Sequence, residues 1–338
     1  MTATPHPVTV DRAVGSLLTM AIGESLGFLV AGEGTAYAAD FAKHSVTAHE
    51  PPWLEKDDYG FGQYAIDTQL TRELGRSVVE SKGFSPVLFA ARVGDLFRTG
   101  RALAAGAATT RAGRRLADGM AWAQAGEPAP QCGNGAAVRA AVLGLCFKSR
   151  KLRQGASRMQ ALITHHDQRA QAAAEVVAEA VFLAATKEVL AERELLDTLA
   201  DVADELDPRL STSLRTLDRA LSVSHERAIQ HIAPAARVPS DGFPAQATIS
   251  PFAAPTILFS LYALLRNPDS PEDAIACAMS AGGDLSSLGA LTGALAGARR
   301  GWKALGPRFQ NWAKHINDHG EHGPNELITL AKGLVQRA

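Results

Sequence analysis

Two stretches of the chain place an aspartate beside hydroxyl side chains at the start of an expected helix. Asp67 and Thr68 precede apolar residues at helical spacing, and Asp284 precedes Ser287 in a stretch made almost wholly of Gly, Ala, Ser and Leu. All-helical proteins build metal and polar sites from such groups when they converge from different helices. The two clusters are therefore candidate catalytic groups, although an acid at the start of a helix is more often only an N-terminal cap.

A glycine turn and a histidine pair are the other candidate binding features. Gly133, Asn134 and Gly135 lead directly into an apolar helix, where free backbone N–H groups can bind an anion. His165 and His166 precede a long alanine-rich helix. Most turns of this kind are only tight turns, and paired histidines are more often a partly exposed loop than ligands. Neither feature identifies a site by itself.

The elements that must position these groups are predicted to be helices along nearly the whole chain. Apolar residues recur at helical spacing, and strand signals are nearly absent. We predict an all-α protein, a compact multi-helix bundle, in which residues 1–10 are a tail and residues 11–338 form a single helical domain. Gly23 and Gly27 in the first helix allow other backbones to approach it closely.

The helical pattern breaks between Ala31 and Gly62, where glycines, prolines and acids cluster. We predict a long loop here, and a loop of this length inside a compact domain is more often functional than idle. The acids that mark this loop include Glu33, Glu50, Glu55, Asp57 and Asp58.

Composition excludes several classes of protein. The 338 residues are 46% hydrophobic and 20% charged, which predicts a folded, soluble chain. A net charge of −1 without a basic block argues against nucleic-acid binding, and no apolar run is long enough to span a bilayer. Three cysteines, Cys132, Cys146 and Cys277, show no CxxC spacing. We therefore expect reduced cysteines in the cytoplasm, without disulfides or a structural zinc site.

Several stretches, in this order, resemble the ADP-ribosylglycohydrolase family of all-helical hydrolases. They are DRAVG at 11–15 with GESLG at 23–27, YAIDT at 64–68, GNGAAVR at 133–139, TH at 164–165, and GGDLSS at 282–287 with GALAGA at 293–298. The combination is specific, although each motif alone is not. The resemblance implies hydrolysis of the bond between ADP-ribose and an acceptor such as arginine or serine, assisted by two magnesium or manganese ions.

The metal-binding motifs depart from the family pattern. The family takes its ligands from Thr-Asp-Asp in the first motif and Asp-x-Asp-Thr in the second. Ala65 and Ile66 replace the first Thr and Asp here, and Ser286 replaces an Asp of the second motif. The oxygen ligands that remain are Asp67, Thr68, Asp284 and Ser287. Since hard divalent cations need several oxygen ligands, we expect no dinuclear centre and at most one weakly bound Mg²⁺ or Mn²⁺.

The nucleotide-binding motifs are better preserved. By resemblance, Gly133, Asn134 and Gly135 contact the phosphates, and His165 lies near the diphosphate and the ribose. Gly283 joins this predicted substrate-binding set as part of the GGD motif. The scaffold and the pocket are thus retained, while the metal ligands are depleted.

Two functional hypotheses follow. In the favoured one the protein is a hydrolase in which Asp67 and Asp284 stabilise an oxocarbenium-like state, and Glu33, or an acid among residues 55–58, activates water. In the alternative the protein is a non-catalytic relative that binds ADP-ribose, an ADP-ribosylated protein or a toxin partner. A purely structural use of the scaffold is a third option. We expect a monomer without nucleic-acid or membrane partners, and the acceptor stays open.

Overall fold

The computed structural model describes residues 6–47, 51–52, 54–235 and 248–337. These residues are mostly helical, and the only β-structure among them consists of isolated bridges. The prediction of an all-α protein is therefore confirmed. No helix in the described ranges combines the length and the apolar character needed to span a membrane.

The described helices are joined mostly by short connections. In the first half of the chain they are α1 (Val10–Leu29), α2 (Thr35–Thr47), α3 (Ile66–Ser81), α4 (Pro86–Arg98), α5 (Ala107–Ala117), α6 (Trp122–Ala125), α7 (Gly135–Arg139), α8 (Ala141–Cys146), α9 (Arg150–Leu162) and α10 (Gln168–Thr186). In the second half they are α11 (Glu192–Ala203), α12 (Pro208–Arg215), α13 (Asp218–Leu221), α14 (His225–Ile232), α15 (Ala253–Arg266), α16 (Pro271–Met279), α17 (Leu285–Arg300), α18 (Pro307–Trp312) and α19 (Pro324–Arg337).

Helices α1 and α17 run antiparallel at the centre of the protein with their backbones in direct contact. A Cβ atom on Gly23 would lie 2.1 Å from the carbonyl oxygen of Gly289, and a Cβ on Gly289 would lie equally close, 2.1 Å, to that of Gly23. Further along, a Cβ on Gly293 would lie 2.2 Å from the carbonyl oxygen of Thr19. Only glycine permits this separation, because any side chain at these positions would overlap the opposite backbone.

The other helices enclose this central pair. From Ala13 to Leu29 every residue of α1 is buried, and α17 is buried almost as completely. Helices α3 and α19 pack against α1, whereas α10 and α15 pack against α17, and α16 contacts α17 from a further side. A helix that is apolar all round is expected in such a position. The exception within α1 is Glu24, a charged residue that is fully buried.

The segment from 31 to 62 contains a helix where the sequence predicts a loop. Helix α2 packs against α16, but only Ala38 and Ala42 are described as buried apolar residues of its inner face. Phe41 packs partly buried against the core beside them, and a short face with one large apolar side chain gives a weak periodic signal, which explains the difference. Residues 48–50, among them Glu50, lie outside the described residues.

We expect Gly289→Ala to lower the free energy of unfolding by about 1–3 kcal/mol, because the added methyl group overlaps the backbone of α1. Urea denaturation of the purified variant measures this change. The matched control is Gly155→Ala in α9, where an added Cβ meets no atom within 4 Å. That substitution is expected to leave stability unchanged or to raise it by about 0.4–1 kcal/mol. Equal stability of the two variants would contradict the close helix contact.

Candidate functional site

A cavity of about 710 Å³ lies beside the N-terminal ends of α3 and α17. Its volume is in the range of small-molecule binding sites. All the predicted site residues except Thr68 line it, namely Glu33, Asp67, Gly133, Asn134, Gly135, His165, Gly283, Asp284 and Ser287. Thr68 is buried behind the wall. The structure therefore brings together groups that are far apart in the sequence.

Ser287 connects the two predicted catalytic aspartates. Asp284 is the N-cap residue of α17, where its Oδ1 accepts a hydrogen bond from the backbone N–H of Ser287 at 3.4 Å. The Ser287 hydroxyl in turn donates to Oδ2 of Asp67 at 2.7 Å. The second Asp284 oxygen, Oδ2, accepts from Nδ2 of Asn134 at 2.7 Å. Asp67 is buried and Asp284 is partly exposed, so the two carboxylates occupy different environments.

Glu24 is a site residue that the sequence analysis did not identify. Its Oε1 accepts from the backbone N–H of Asp67 and its Oε2 from that of Thr68, both at 2.9 Å. The N-cap residue of α3, Ala65, has no side chain that could cap the helix, so Glu24 satisfies these N–H groups from α1 instead. The available signal was an acid in the middle of a helix whose neighbouring residues are small or apolar.

Burial and mutual repulsion raise the pKa values of the buried acids. Loss of water raises the pKa of Glu24 to about 8, and the nearby charge of Asp67 adds to this effect. Burial also raises the pKa of Asp67 to about 7, with repulsion from Asp284 as the second cause and the Ser287 hydrogen bond in opposition. The acid cluster therefore retains a proton near neutral pH, as a general acid requires.

The Gly133–Gly135 turn and His165 form another part of the cavity lining. The turn is held by the N–H of Asn134, which donates to the carbonyl of Pro251 at 3.1 Å. Burial, followed by the charge of Arg139, lowers the pKa of His165 to about 3, so that the imidazole is neutral at physiological pH. His166, the second histidine of the pair, does not line the cavity.

The acids that were candidates for the general base lie at different places in the fold. Glu33 lies exposed on the turn between α1 and α2 and lines the cavity. Glu55 lines a different cavity, formed with Pro51, Pro52 and Phe61. Among the described acids of the segment from 31 to 62, Glu33 is therefore the one placed at this site.

These features define an all-helical protein with an acid-lined cleft large enough for a nucleotide. The family model for ADP-ribosylglycohydrolase matches residues 5–338, and the chain belongs to this family. An uncharacterized protein of Archaeoglobus fulgidus is 26% identical over 284 residues, which cover 84% of this chain and 86% of the relative. A solved structure described as an ADP-ribosylglycohydrolase-related protein complex has a TM-score of 0.68 and 25% identity, and the match covers 97% of this chain and 98% of that one.

We expect the free energy of unfolding to fall as the pH rises from about 7 to 9. Asp67 and Glu24 have raised pKa values in the folded state, so the folded protein binds more protons than the unfolded chain and loses this advantage as it deprotonates. His165 shifts in the opposite direction, but its unfolded form titrates near pH 6.5, below this window.

Urea denaturation at several pH values measures the slope, and Asp67→Asn should reduce it because an amide does not titrate. The same substitution at exposed Asp95 is the control and should leave the slope unchanged. A wild-type stability that rises between pH 7 and pH 9 would contradict the raised pKa values.

Proposed function

We propose that this protein hydrolyses the glycosidic bond between ADP-ribose and an acceptor, with arginine as the first acceptor to test, and that it does so without a two-metal centre. The observation that carries the proposal is the convergence of Asp67 and Asp284, which Ser287 joins across two helices. Both aspartates line a cavity that is also lined by the glycine turn and His165. Membership of the ADP-ribosylglycohydrolase family supports the reaction class.

The two aspartates have complementary roles in the proposed reaction. Asp67 is protonated to a substantial extent near neutral pH, so it can transfer a proton to the nitrogen that leaves the ribose. The partly exposed Asp284 carries the negative charge that stabilises the oxocarbenium-like ribose. Water then adds its oxygen to the ribose carbon and gives up its proton to Glu33 at the rim. The arrangement resembles the paired carboxyl groups of other glycosidases, in which different surroundings keep one group protonated and the other ionised.

The donor set supports a reaction without a pair of metal ions. Mg²⁺ prefers octahedral coordination by oxygen, whereas Ala65 and Ile66 contribute apolar lining to this cavity. One oxygen of Asp67 and one of Asp284 already accept side-chain hydrogen bonds. Over the described ranges, no group of three or more His, Cys, Asp or Glu side chains is arranged to hold a metal ion. The proposed reaction therefore uses the protein's own carboxyl groups and no pair of metal ions.

The same apolar replacements favour a second candidate function, non-catalytic binding of ADP-ribose or of an ADP-ribosylated protein. Ile66 places an apolar side chain beside Asp67, whereas the glycine turn and His165 remain in the cavity lining. A glycine turn and a neutral histidine can bind an anionic nucleotide without a cation. A binding protein would therefore keep affinity for ADP-ribose without releasing it from a substrate.

We expect the protein to release ADP-ribose from an arginine-ADP-ribosylated substrate equally well with Mg²⁺ and with excess chelator. Asp67→Asn and Asp284→Asn should each lower kcat by about 100-fold or more, because each removes a group that acts on the reacting bond. Asp95→Asn, the same change at an exposed site, should retain wild-type activity. Chromatographic quantification of free ADP-ribose provides the measurement.

The other outcomes separate the alternatives. Release that disappears with chelator would overturn the metal-free mechanism but not the reaction class. No release combined with micromolar binding of ADP-ribose by calorimetry would favour the binding protein. Neither release nor binding would remove both candidate functions.

A further inference from the structure

Arg139 at the end of α7 is a buried cation whose hydrogen-bond partners are all neutral. Its side chain is inaccessible to solvent, and its guanidinium carbon lies 5.7 Å from the ring centre of Phe89. Its Nε donates to Oε1 of Gln160 at 2.6 Å, and Nη2 donates both to the Gln160 carbonyl at 3.0 Å and to the hydroxyl of Thr164 at 2.6 Å. Burying a charge without a charged partner costs free energy of folding. The arrangement is therefore unlike an ordinary core contact.

The hydrogen bonds around Arg139 have a defined direction. Nε2 of Gln160 donates to the carbonyl of Ala136 at 2.8 Å, which leaves Oε1 of Gln160 as the acceptor for Arg139. An arginine side chain has donors only, so the hydroxyl oxygen of Thr164 must accept from it. The donor and the acceptor of each hydrogen bond from Ala136 to Thr164 are therefore determined.

The same reasoning determines the tautomer of His165. The hydroxyl of Thr164 lies 2.8 Å from Nδ1 of His165, and Thr164 is fully buried. No other acceptor for this hydroxyl hydrogen occurs among the described residues, so Thr164 donates to Nδ1. If Nδ1 carried the proton, the buried hydroxyl hydrogen would have no acceptor, and the free energy of one hydrogen bond would be lost. A neutral His165 therefore carries its proton on Nε2.

The protonated nitrogen faces the cavity. Nε2 of His165 lies 3.2 Å from the position that a Cβ on Gly133 would occupy, and both residues line the cavity. Within the described part of the chain Nε2 has no hydrogen-bond partner. The low pKa of His165 keeps the ring neutral, so that the choice of tautomer decides whether this nitrogen donates or accepts.

We infer that Arg139 and Thr164 are positioning residues that hold His165 as the Nε2–H tautomer, so that it donates a hydrogen bond to an anionic oxygen of the ligand beside Gly133. The identity of that oxygen as a phosphate oxygen of ADP-ribose rests on the proposed function. With the other tautomer, the lone pair of Nε2 would face the phosphate and repel it. A neutral donor at this position favours an anion without requiring a second buried cation.

The tautomer is measured by long-range ¹H–¹⁵N correlation spectra of protein labelled with ¹⁵N-histidine, with His165→Ala used to assign the signals. We expect a protonated-type shift at Nε2 and an unprotonated-type shift at Nδ1. Thr164→Val replaces the hydroxyl with a methyl group of similar size and should shift the ring toward a mixture of tautomers, whereas Thr164→Ser should restore the wild-type pattern. A proton on Nδ1 in the wild type, or an unchanged tautomer in the valine variant, would overturn the inference.

Calorimetric titration with ADP-ribose tests the ligand contact. Thr164→Val should weaken binding about two- to fivefold, because only the fraction of His165 that carries its proton on Nε2 can donate to the ligand, and Thr164→Ser should restore it. The matched control is Thr292→Val in α17, which removes a buried hydroxyl without a partner among the described residues, and circular dichroism checks that each variant folds. A changed tautomer with unchanged affinity would overturn the donor role. If the wild type does not bind ADP-ribose, the ligand contact is overturned while the spectra still decide the tautomer, and the release assay decides the proposed function separately.

Discussion

The contact between the backbones of α1 and α17 is the constraint on which the site depends. Because glycine faces glycine along this contact, the two helices lie closer together than helices with side chains between them can. This separation positions Glu24 on α1 relative to Asp284 and Ser287 at the start of α17. Glu24 then holds the first turn of α3 through two backbone N–H groups, so the position of Asp67 follows from the same contact.

Three charged side chains beside the cavity are buried without a direct ion pair to any described residue. Glu24, Asp67 and Arg139 are all buried, and each is compensated mainly by hydrogen bonds to neutral groups rather than by a direct ion pair. Such groups are costly to remove from water, but burial also changes their protonation. Burial raises the pKa values of the two acids and lowers that of His165. The same low-polarity surroundings thereby keep a proton on the carboxyl group of Asp67 and keep the ring of His165 neutral.

By the resemblance of its motifs, the chain departs from the family pattern at Ala65 and Ile66 beside the start of α3 and at Ser286 in α17. The glycine turn and His165, which line the same cavity, match the pattern. In the proposed reaction, protonation of Asp67 lowers the negative charge of the paired carboxyl groups, which a bound cation would otherwise compensate. A carboxyl group with a raised pKa can do this because it is neutral before it transfers its proton.

The sequence by itself determined the helical class, the helix starts at Asp67 and Asp284, and the glycine turn, because periodicity and helix caps are local properties of the chain. It did not reveal α2, whose fully buried apolar residues, among those described, are two alanines, or the role of Glu24. Only the tertiary structure decided that Asp67 meets Ser287 and that Thr164 stands between Arg139 and His165. Apart from the contact between the neighbours Thr164 and His165, these contacts join residues far apart in the sequence, and their geometry depends on how the helices pack rather than on any local pattern.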